Sequence, residues 1–176
     1  MTPPTLSELF RRHGSDKDHP AGHSYGPVYE KLLAPRRDGV FSVLEVGVLG
    51  GASLRAWRDY FPSAFVIGVD VSAPTFEEWQ VSARRADATK AEDLAAALGD
   101  RRFDLIVDDG SHWEHHQLAT FELLKPRLKP GGLYVVEDVQ CVPTHDKLRA
   151  LGFEVFDLRA EKSRFDDVLA VYRHPE

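Results

Sequence analysis

The sequence predicts an α/β fold built on a doubly wound, mostly parallel sheet. After Gly39, short runs rich in branched apolar residues alternate with stretches of helical composition, and strands that are joined through helices run parallel. The last two apolar runs, at 153–160 and 166–174, are too close in sequence for a crossover helix between them. They therefore predict an antiparallel hairpin at one edge of the sheet.

Apolar runs, glycines and prolines locate the individual elements. Strands are predicted at 41–48, 64–71, 84–88, 103–110 and 131–139, ahead of the final pair. Helices are predicted at 5–14, 50–61, 90–99, 112–128 and 145–152. Gly14 and Gly99 are expected to end two of these helices, and Pro126 should bend a third. The rest of the first forty residues is polar and predicts irregular structure.

Composition narrows the class of protein. The chain has 176 residues, which suits one domain, and we interpret 1–176 as a single domain with a segment 1–40 ahead of a Rossmann-like core at 41–176. Acidic residues outnumber basic ones by 28 to 22, and the net charge of −6 argues against nucleic acid or an anionic membrane as the main partner. The lone Cys141 excludes an internal disulfide and a cysteine-rich zinc site. No apolar run approaches the length of a membrane span and no signal-peptide pattern opens the chain, so a cytoplasmic location is expected.

The loop after the first strand is a candidate cofactor site. It carries Glu45, Gly47, Gly50 and Gly51, and such glycines allow a tight turn and a close approach of the backbone to a ligand. Asp70 ends the second strand, in the position from which an acid binds the hydroxyls of a ribose. Asp87, at the end of the third strand, has the chemistry to accept a hydrogen bond from an adenine amine. These features suit a nucleoside-containing cofactor, and both a nicotinamide cofactor and S-adenosylmethionine remain open.

Two acidic pairs follow the next two strands. Asp108 and Asp109 end the strand at 103–110, and Glu137 and Asp138 end the strand at 131–139. Carboxylates brought this close repel one another unless a cation compensates, and Mg²⁺ prefers such oxygen ligands. A metal-bound hydroxyl has a lowered pKa, and His112 could accept its proton as a general base. The alternative is that these acids cap the following helix and that His112 is a surface residue.

A zinc site is the second alternative for the same stretch. His112, His115 and His116 lie near one face of the predicted helix, and zinc favours histidine ligands. The motif "HWEHH" matches neither of the metalloprotease patterns, H-E-x-x-H and H-x-x-E-H. We therefore expect His112 alone to reach the site.

At this point the chain resembles a known family. The stretches "GSDKDHPAGHSYGPVYEKLL", "LEVGVLGGASLRAW", "VIGVD" and "IVDDGSHWEHHQLATFELLKPRLKPGGLYVVEDV" are similar to the metal-dependent S-adenosylmethionine O-methyltransferases of the macrocin and mycinamicin sugar type. The resemblance covers roughly residues 13 to 140. Its more specific part is the combination of G-[ST]-D-K, D-D-G-S-H and a strand-end E-D.

The resemblance implies a class I methyltransferase fold, with a seven-stranded sheet and an antiparallel last strand. It implies that Asp109, Glu137 and Asp138 bind Mg²⁺, that Asp109 takes part in catalysis, and that His112 is the base. It implies a cofactor site for S-adenosylmethionine made of Lys17, His23, Tyr25, Glu45, Gly47, Gly50, Gly51, Asp70, Asp87 and Asp108. The early residues among these belong to a segment that covers the cofactor and the substrate in that family.

The expected function is therefore Mg²⁺-dependent methyl transfer to a hydroxyl of a sugar or glycosylated acceptor, in a dimer or larger homo-oligomer. A catechol-type or other small-molecule O-methyltransferase is an alternative within the enzymes. A catalytically silent S-adenosylmethionine-binding subunit is the alternative from another class. A nicotinamide dehydrogenase would leave the acidic pairs without a role.

Overall fold

An eight-stranded sheet with helices on both faces forms the protein in the computed structural model, which describes residues 3–72 and 75–176. The strands are β1 (Ser42–Val46), β2 (Phe65–Asp70), β3 (Phe76–Glu78), β4 (Val81–Arg85), β5 (Phe103–Asp108), β6 (Leu128–Val136), β7 (Glu154–Asp157) and β8 (Val168–Arg173). Their spatial order is β3-β4-β2-β1-β5-β6-β8-β7. The five strands from β4 to β6 in that order pair in parallel, and the pairings of β3 with β4, β6 with β8 and β8 with β7 are antiparallel.

Seven α-helices connect or precede these strands in the described ranges. They are α1 (Leu6–His13), α2 (Gly26–Leu33), α3 (Ala52–Tyr60), α4 (Ala91–Leu98), α5 (Glu114–Leu124), α6 (Val142–Ala150) and α7 (Arg159–Lys162). Short 3₁₀ helices occupy Asp16–Asp18, Ala34–Gly39 and Lys125–Arg127. None of the helices described is long and apolar enough to cross a bilayer.

The predicted fold class is confirmed, with one extra strand. The sheet is mostly parallel, and β7 and β8 form the antiparallel hairpin at one edge. The sheet has eight strands rather than seven because β3 pairs with β4 at the opposite edge. This three-residue strand, "FEE", lacks the alternation that would reveal a strand in the sequence.

Two local predictions are wrong and one is confirmed. The strand predicted at 84–88 lies at Val81–Arg85, where buried and partly exposed side chains alternate along the strand. Helix α2 occupies a stretch that predicts irregular structure, although proline in its first turn is a helix-start signal. The bend predicted at Pro126 is confirmed, since α5 ends at Leu124 and a 3₁₀ turn carries the proline.

The core lies in two layers, one on each face of the sheet. On one face the N-terminal helices pack against α3, where the ring of Trp57 contacts Phe10 at 5.1 Å and Tyr29 at 5.0 Å between centroids. On the other face Phe121 of α5 packs edge-on against Tyr134 of β6 at 5.1 Å. Aromatic side chains bury large areas, so these contacts contribute strongly to holding both layers on the sheet. The N-terminal segment is thus part of the first core layer.

Capping residues position the N-terminal segment at the edge of the sheet. Thr5 and Glu8 form a capping box at the start of α1, and Gly14 ends the helix at φ 76°, a conformation that glycine adopts without strain. The Ser15 hydroxyl then accepts a hydrogen bond from the Lys17 amide and caps the 3₁₀ turn Asp16–Asp18. The chain therefore leaves α1 at a defined point and places Lys17 above the strands.

Candidate active site

The strands β1, β2, β5 and β6 end at one level. In the register of the sheet, Val46 of β1 lies beside Val69 of β2 and Asp108 of β5, and Asp108 lies beside Val136 of β6. The residues that follow, which are the glycine loop and the two acidic pairs, therefore emerge together. They border a cavity of about 620 Å³, which is called the crevice below. Ligands of open α/β sheets bind in this position, outside the carboxyl ends of the strands.

A buried ammonium lies between carboxylates at the base of this cavity. Lys17 is 1% exposed, and its Nζ donates to Asp109 Oδ2 at 2.6 Å and to Glu137 Oε2 at 2.5 Å. Glu45 Oε1 is 3.7 Å from the same nitrogen. Burial alone would lower the pKa of Lys17, but the three carboxylates outweigh it and hold the pKa well above its ordinary value. The lysine is therefore charged, and it compensates part of the negative charge around it.

The second acidic pair is held by side chains of the N-terminal segment. Tyr29 donates its hydroxyl to Glu137 Oε1, and Tyr25 donates to Asp138 Oδ1 at 2.6 Å. His23 stacks on Tyr25 and lies with Nδ1 3.4 Å from Asp138 Oδ1. Burial and neighbouring negative charge raise the pKa of both carboxyls above the ordinary values, that of Glu137 strongly. A cation in the cavity would favour their ionised forms.

Three groups face one another with the chemistry of a metal site. Asp109, His112 and Asp138 each offer a ligand atom, and these atoms lie within 4.8 Å of one another. Nδ1 of His112 is buried and has no hydrogen-bond partner among the described residues. His112 and Asp138 both have positive φ, at 59° and 54°. Both residues therefore hold a strained backbone conformation, of the kind that clusters at functional sites. Two carboxylates and one imidazole fit a hard or borderline divalent ion.

Glu137 differs from the other predicted metal ligands in its surroundings. Both of its carboxylate oxygens accept hydrogen bonds, one from Tyr29 and one from Lys17, and it is 1% exposed. Its predicted role as a metal ligand stays a prediction, and a metal there would compete with the ammonium for its oxygens.

Glu45 of β1 also lines the cavity. Its carboxylate is fully buried and accepts hydrogen bonds from Ser53 Oγ at 2.5 Å and from Nε1 of Trp57. Burial raises the pKa of Glu45, against the lowering by Lys17. Helix α3 supplies both donors, so the helix that follows the glycine loop also fixes this acid.

The glycine loop approaches the acidic strand end closely. A Cβ on Gly47, which has φ 89°, would lie 1.9 Å from the carbonyl oxygen of Asp109. Gly51, at φ 76°, begins α3, and Gly50 borders the cavity. Asp70 Oδ2 accepts a hydrogen bond from the Val48 amide of this loop at 2.8 Å. The loop is therefore tied to β2 and fitted against β5.

A second cavity, of about 400 Å³, continues from the first between β2 and α5. Asp70, Asp87 and Asp108 are among its lining residues. The Asp87 carboxylate accepts hydrogen bonds from the amide and hydroxyl of Thr89, at 3.0 and 2.6 Å, so it closes its own turn. Asp108 is buried, and this burial raises its pKa to about 7. The cofactor-binding roles of these acids stay predictions, and the cavity has room for a nucleoside beside them.

The zinc alternative receives no geometric support. Among the described residues two clusters could hold a metal ion, Asp109–His112–Asp138 and His23–Asp138–Asp166, and neither includes His115 or His116. His116 Nδ1 instead forms a hydrogen bond with Ser111 Oγ at 2.7 Å. His112 lines the first cavity, whereas His116 lines the second one, so the expectation that His112 alone reaches the site stays a prediction.

Several side chains that hold the site were missed by the sequence reasoning. Tyr29, Ser53 and Trp57 fix the buried acids, and Gln117 donates to the Glu137 carbonyl at 3.0 Å. Tyr29 follows Tyr25 by one helical turn, which would have been a signal had α2 been recognised. The donors to Glu45 come from α3, 8 and 12 residues further along the chain, where nothing in the sequence marks them as polar partners.

Comparison with known proteins decides the family. A family model described as a methyltransferase domain matches residues 44–139. The chain belongs to this family. Its sheet is that of the class I methyltransferases, which confirms the expected fold.

Sugar O-methyltransferases are among the similar members. The 8-demethyl-8-alpha-L-rhamnosyl tetracenomycin-C 2'-O-methyltransferase of Streptomyces olivaceus is 43% identical over 148 residues, which are 78% of this chain and 38% of that protein. The mycinamicin VI 2''-O-methyltransferase of Micromonospora griseorubida is 35% identical over 77% of this chain and 36% of its own length. The chain thus spans less than two fifths of these relatives.

A solved structure extends the similarity to nearly the whole chain. The MycE methyltransferase from the mycinamycin biosynthetic pathway, in complex with Mg, SAH and mycinamycin VI, superposes with a TM-score of 0.78 at 26% identity. The match covers 98% of this chain and 53% of that one. The N-terminal residues of this chain therefore have a structural counterpart in that protein.

Proposed function

We propose that the protein is an S-adenosylmethionine- and Mg²⁺-dependent O-methyltransferase that acts on a hydroxyl of a sugar or glycosylated acceptor. One observation carries the proposal. The crevice joins a wall suited to a cofactor, at Glu45, Gly47 and Asp70, to a wall suited to activating a hydroxyl, at Asp109 and His112. Both walls line one cavity, so a methyl donor and an oxygen nucleophile would meet there.

On the cofactor side, the chain supplies a buried acid and an exposed backbone. Glu45 would accept hydrogen bonds from the amino group of the methionine part, and the backbone of the loop from Gly47 to Gly50, which lines the cavity, would lie beside that part. Asp70 would hold the ribose, and the cavity beside Asp87 and Asp108 would receive the adenine. Lys17, His23 and Tyr25 would close the site from the N-terminal segment, whose residue Lys17 lines the cavity.

On the acceptor side, Asp109, Glu137 and Asp138 would hold the metal, which would lower the pKa of an acceptor hydroxyl. His112 would accept the hydroxyl proton at Nε2, which lies 3.8 Å from Asp138 Oδ2. The hydroxyl oxygen would then form a bond to the methyl carbon of the bound donor as the carbon–sulfur bond breaks. The products are the methyl ether, S-adenosylhomocysteine and a proton on His112. Alignment of oxygen, carbon and sulfur would supply much of the acceleration.

The sugar acceptor is supported by the relatives. The names of the five curated relatives that match all describe O-methyltransferases, and those from Streptomyces olivaceus carry rhamnosyl acceptors in their names. A deoxysugar on an apolar scaffold is therefore the first acceptor class to test.

The test is a set of conservative variants with binding and transfer measured separately. Asp109→Asn and Glu137→Gln should abolish transfer of a labelled methyl group to rhamnosylated acceptors while S-adenosylhomocysteine binding changes by less than about tenfold. Asp70→Ala should instead weaken S-adenosylhomocysteine binding. Retained transfer in both carboxylate variants would remove the metal from the mechanism, and cofactor binding without any transfer would favour the silent-subunit alternative.

We also propose that the protein acts as a dimer or larger homo-oligomer. The resemblance to the macrocin and mycinamicin type is its support. Sedimentation velocity at micromolar concentration distinguishes this assembly from a 19.8 kDa monomer.

A further inference from the structure

Lys17 is the one positive group that contacts three carboxylates of the crevice among the residues described. Its ammonium bridges Asp109, from the strand that ends in the first acidic pair, and Glu137, from the strand that ends in the second. It also lies 3.7 Å from Glu45, from the end of β1. Three buried or half-buried carboxylates around one ammonium form a site that is already partly neutralised without any metal.

The backbone around Lys17 is fixed, so its position is built into the fold. The Lys17 carbonyl accepts a hydrogen bond from the Tyr25 amide at 3.0 Å, and the Asp16 carbonyl accepts one from the His23 amide at 2.8 Å. Asp18 forms an ion pair with Arg11 of α1 at 3.0 Å. The Lys17 side chain is also almost completely buried, although it borders the floor of the cavity.

We propose that Lys17 is a resident counter-ion of the crevice, which holds Asp109 and Glu137 in place without metal and competes with an incoming divalent ion for their oxygens. This inference rests on the proposed metal-dependent function. It assigns Lys17 a role toward the metal site, as a positioning residue that sets metal affinity and the share of Glu137 in the coordination.

The exposure of the two carboxylates indicates which of them a metal reaches first. The Asp109 side chain is 24% exposed and faces the cavity. The Glu137 side chain is 2% exposed and contacts the ammonium inside the protein. A metal that uses Asp109 and Asp138 can enter while Lys17 keeps Glu137. A metal that also uses Glu137 must share its oxygens with the ammonium or displace it. In both cases a positive charge beside the site repels the metal, and a neutral side chain at position 17 would remove that repulsion.

The experiment is Mg²⁺ titration by calorimetry and thermal melts with and without Mg²⁺, on the wild type, Lys17→Met and Lys162→Met. Lys162 is the matched control because its Nζ donates to the His19 carbonyl at 3.0 Å and also ties the N-terminal segment, but contacts none of the crevice carboxylates. Lys17→Met should bind Mg²⁺ at least tenfold more tightly than wild type. Its melting temperature without metal should fall, and Mg²⁺ should raise it by more than in the wild type. Lys162→Met should keep the wild-type Mg²⁺ affinity.

A second variant keeps the test decisive if Lys17→Met does not fold without metal. The double variant Lys17→Met with Glu137→Gln removes one positive and one negative charge, so it should fold in EDTA and bind Mg²⁺ with nearly wild-type affinity. Unchanged or weaker Mg²⁺ binding in folded Lys17→Met would overturn the counter-ion role, and so would a double variant that retains the tight binding of the single one. A wild type that binds no Mg²⁺ at millimolar concentration would instead contradict the proposed function, and this inference with it.

Discussion

Gly47→Ala is the substitution whose effect follows most directly from the structure. The new Cβ would lie 1.9 Å from the Asp109 carbonyl oxygen and 2.7 Å from its carbonyl carbon. Real contacts of a Cβ start at 3.0 Å, so the two backbones must separate by about 1.1 Å. Alanine at φ 89° adds roughly 1–2 kcal/mol of backbone strain. With roughly 1–3 kcal/mol for overpacking, we expect a loss of about 3 kcal/mol in the free energy of unfolding.

The same displacement moves Asp109, so binding should suffer along with stability. We expect Mg²⁺ binding to weaken at least tenfold, measured by calorimetry on the folded protein, with stability measured by urea denaturation. Gly50→Ala is the matched control, since its Cβ would meet no described atom within 4 Å. If Gly47→Ala unfolded at the wild-type urea concentration and bound Mg²⁺ normally, the close contact between the loop and β5 would be refuted.

Three further predictions concern stability. Asp104→Ala should cost about 2–4 kcal/mol in urea denaturation, because the Asp104 carboxylate accepts hydrogen bonds from the Ser42 amide and hydroxyl at 2.9 and 2.8 Å, and a wild-type midpoint would contradict this. Trp57→Phe should cost about 2 kcal/mol by the same assay, because it removes the indole N–H that donates to one oxygen of the buried Glu45. An equal loss in a Glu45→Gln background would show that the carboxylate is not involved. The pKa of Asp108, raised to about 7 by burial, means that the folded state binds this proton more strongly than the unfolded state, so stability should fall by up to roughly 4 kcal/mol as pH rises from 4 to 8 without added metal. Asp108→Asn should flatten that dependence, and an unchanged slope in the variant would assign it to other groups.

The elements that position the crevice were predictable because they rest on local signals. Branched apolar runs mark β1, β2, β5 and β6, and each run ends in an acid or a glycine at the carboxyl edge. Once parallel connection is assumed, those residues must meet at one edge. The glycine loop, Asp70 and the two acidic pairs could be brought together by that reasoning alone. The same reasoning did not identify strand β3 or helix α2, because their local sequence patterns are weak.

The partners of the acids could not be read in the same way. Lys17 lies 92 residues before Asp109 and 120 before Glu137, and Tyr29 lies 108 residues before Glu137. No periodicity links such distant positions, and only the packing of the N-terminal segment on α3 brings them into contact. The carboxylates suggested a compensating cation, and the sequence could not indicate that a lysine supplies part of that charge.

The most direct test of the account is transfer of a labelled methyl group from S-adenosylmethionine to a panel of rhamnosylated acceptors, in Mg²⁺ and in EDTA. We predict product in Mg²⁺, loss of product in EDTA, and recovery when Mg²⁺ is restored. Equal transfer in Mg²⁺ and EDTA, or no binding of S-adenosylhomocysteine to the same preparation, would contradict the proposed function of the crevice.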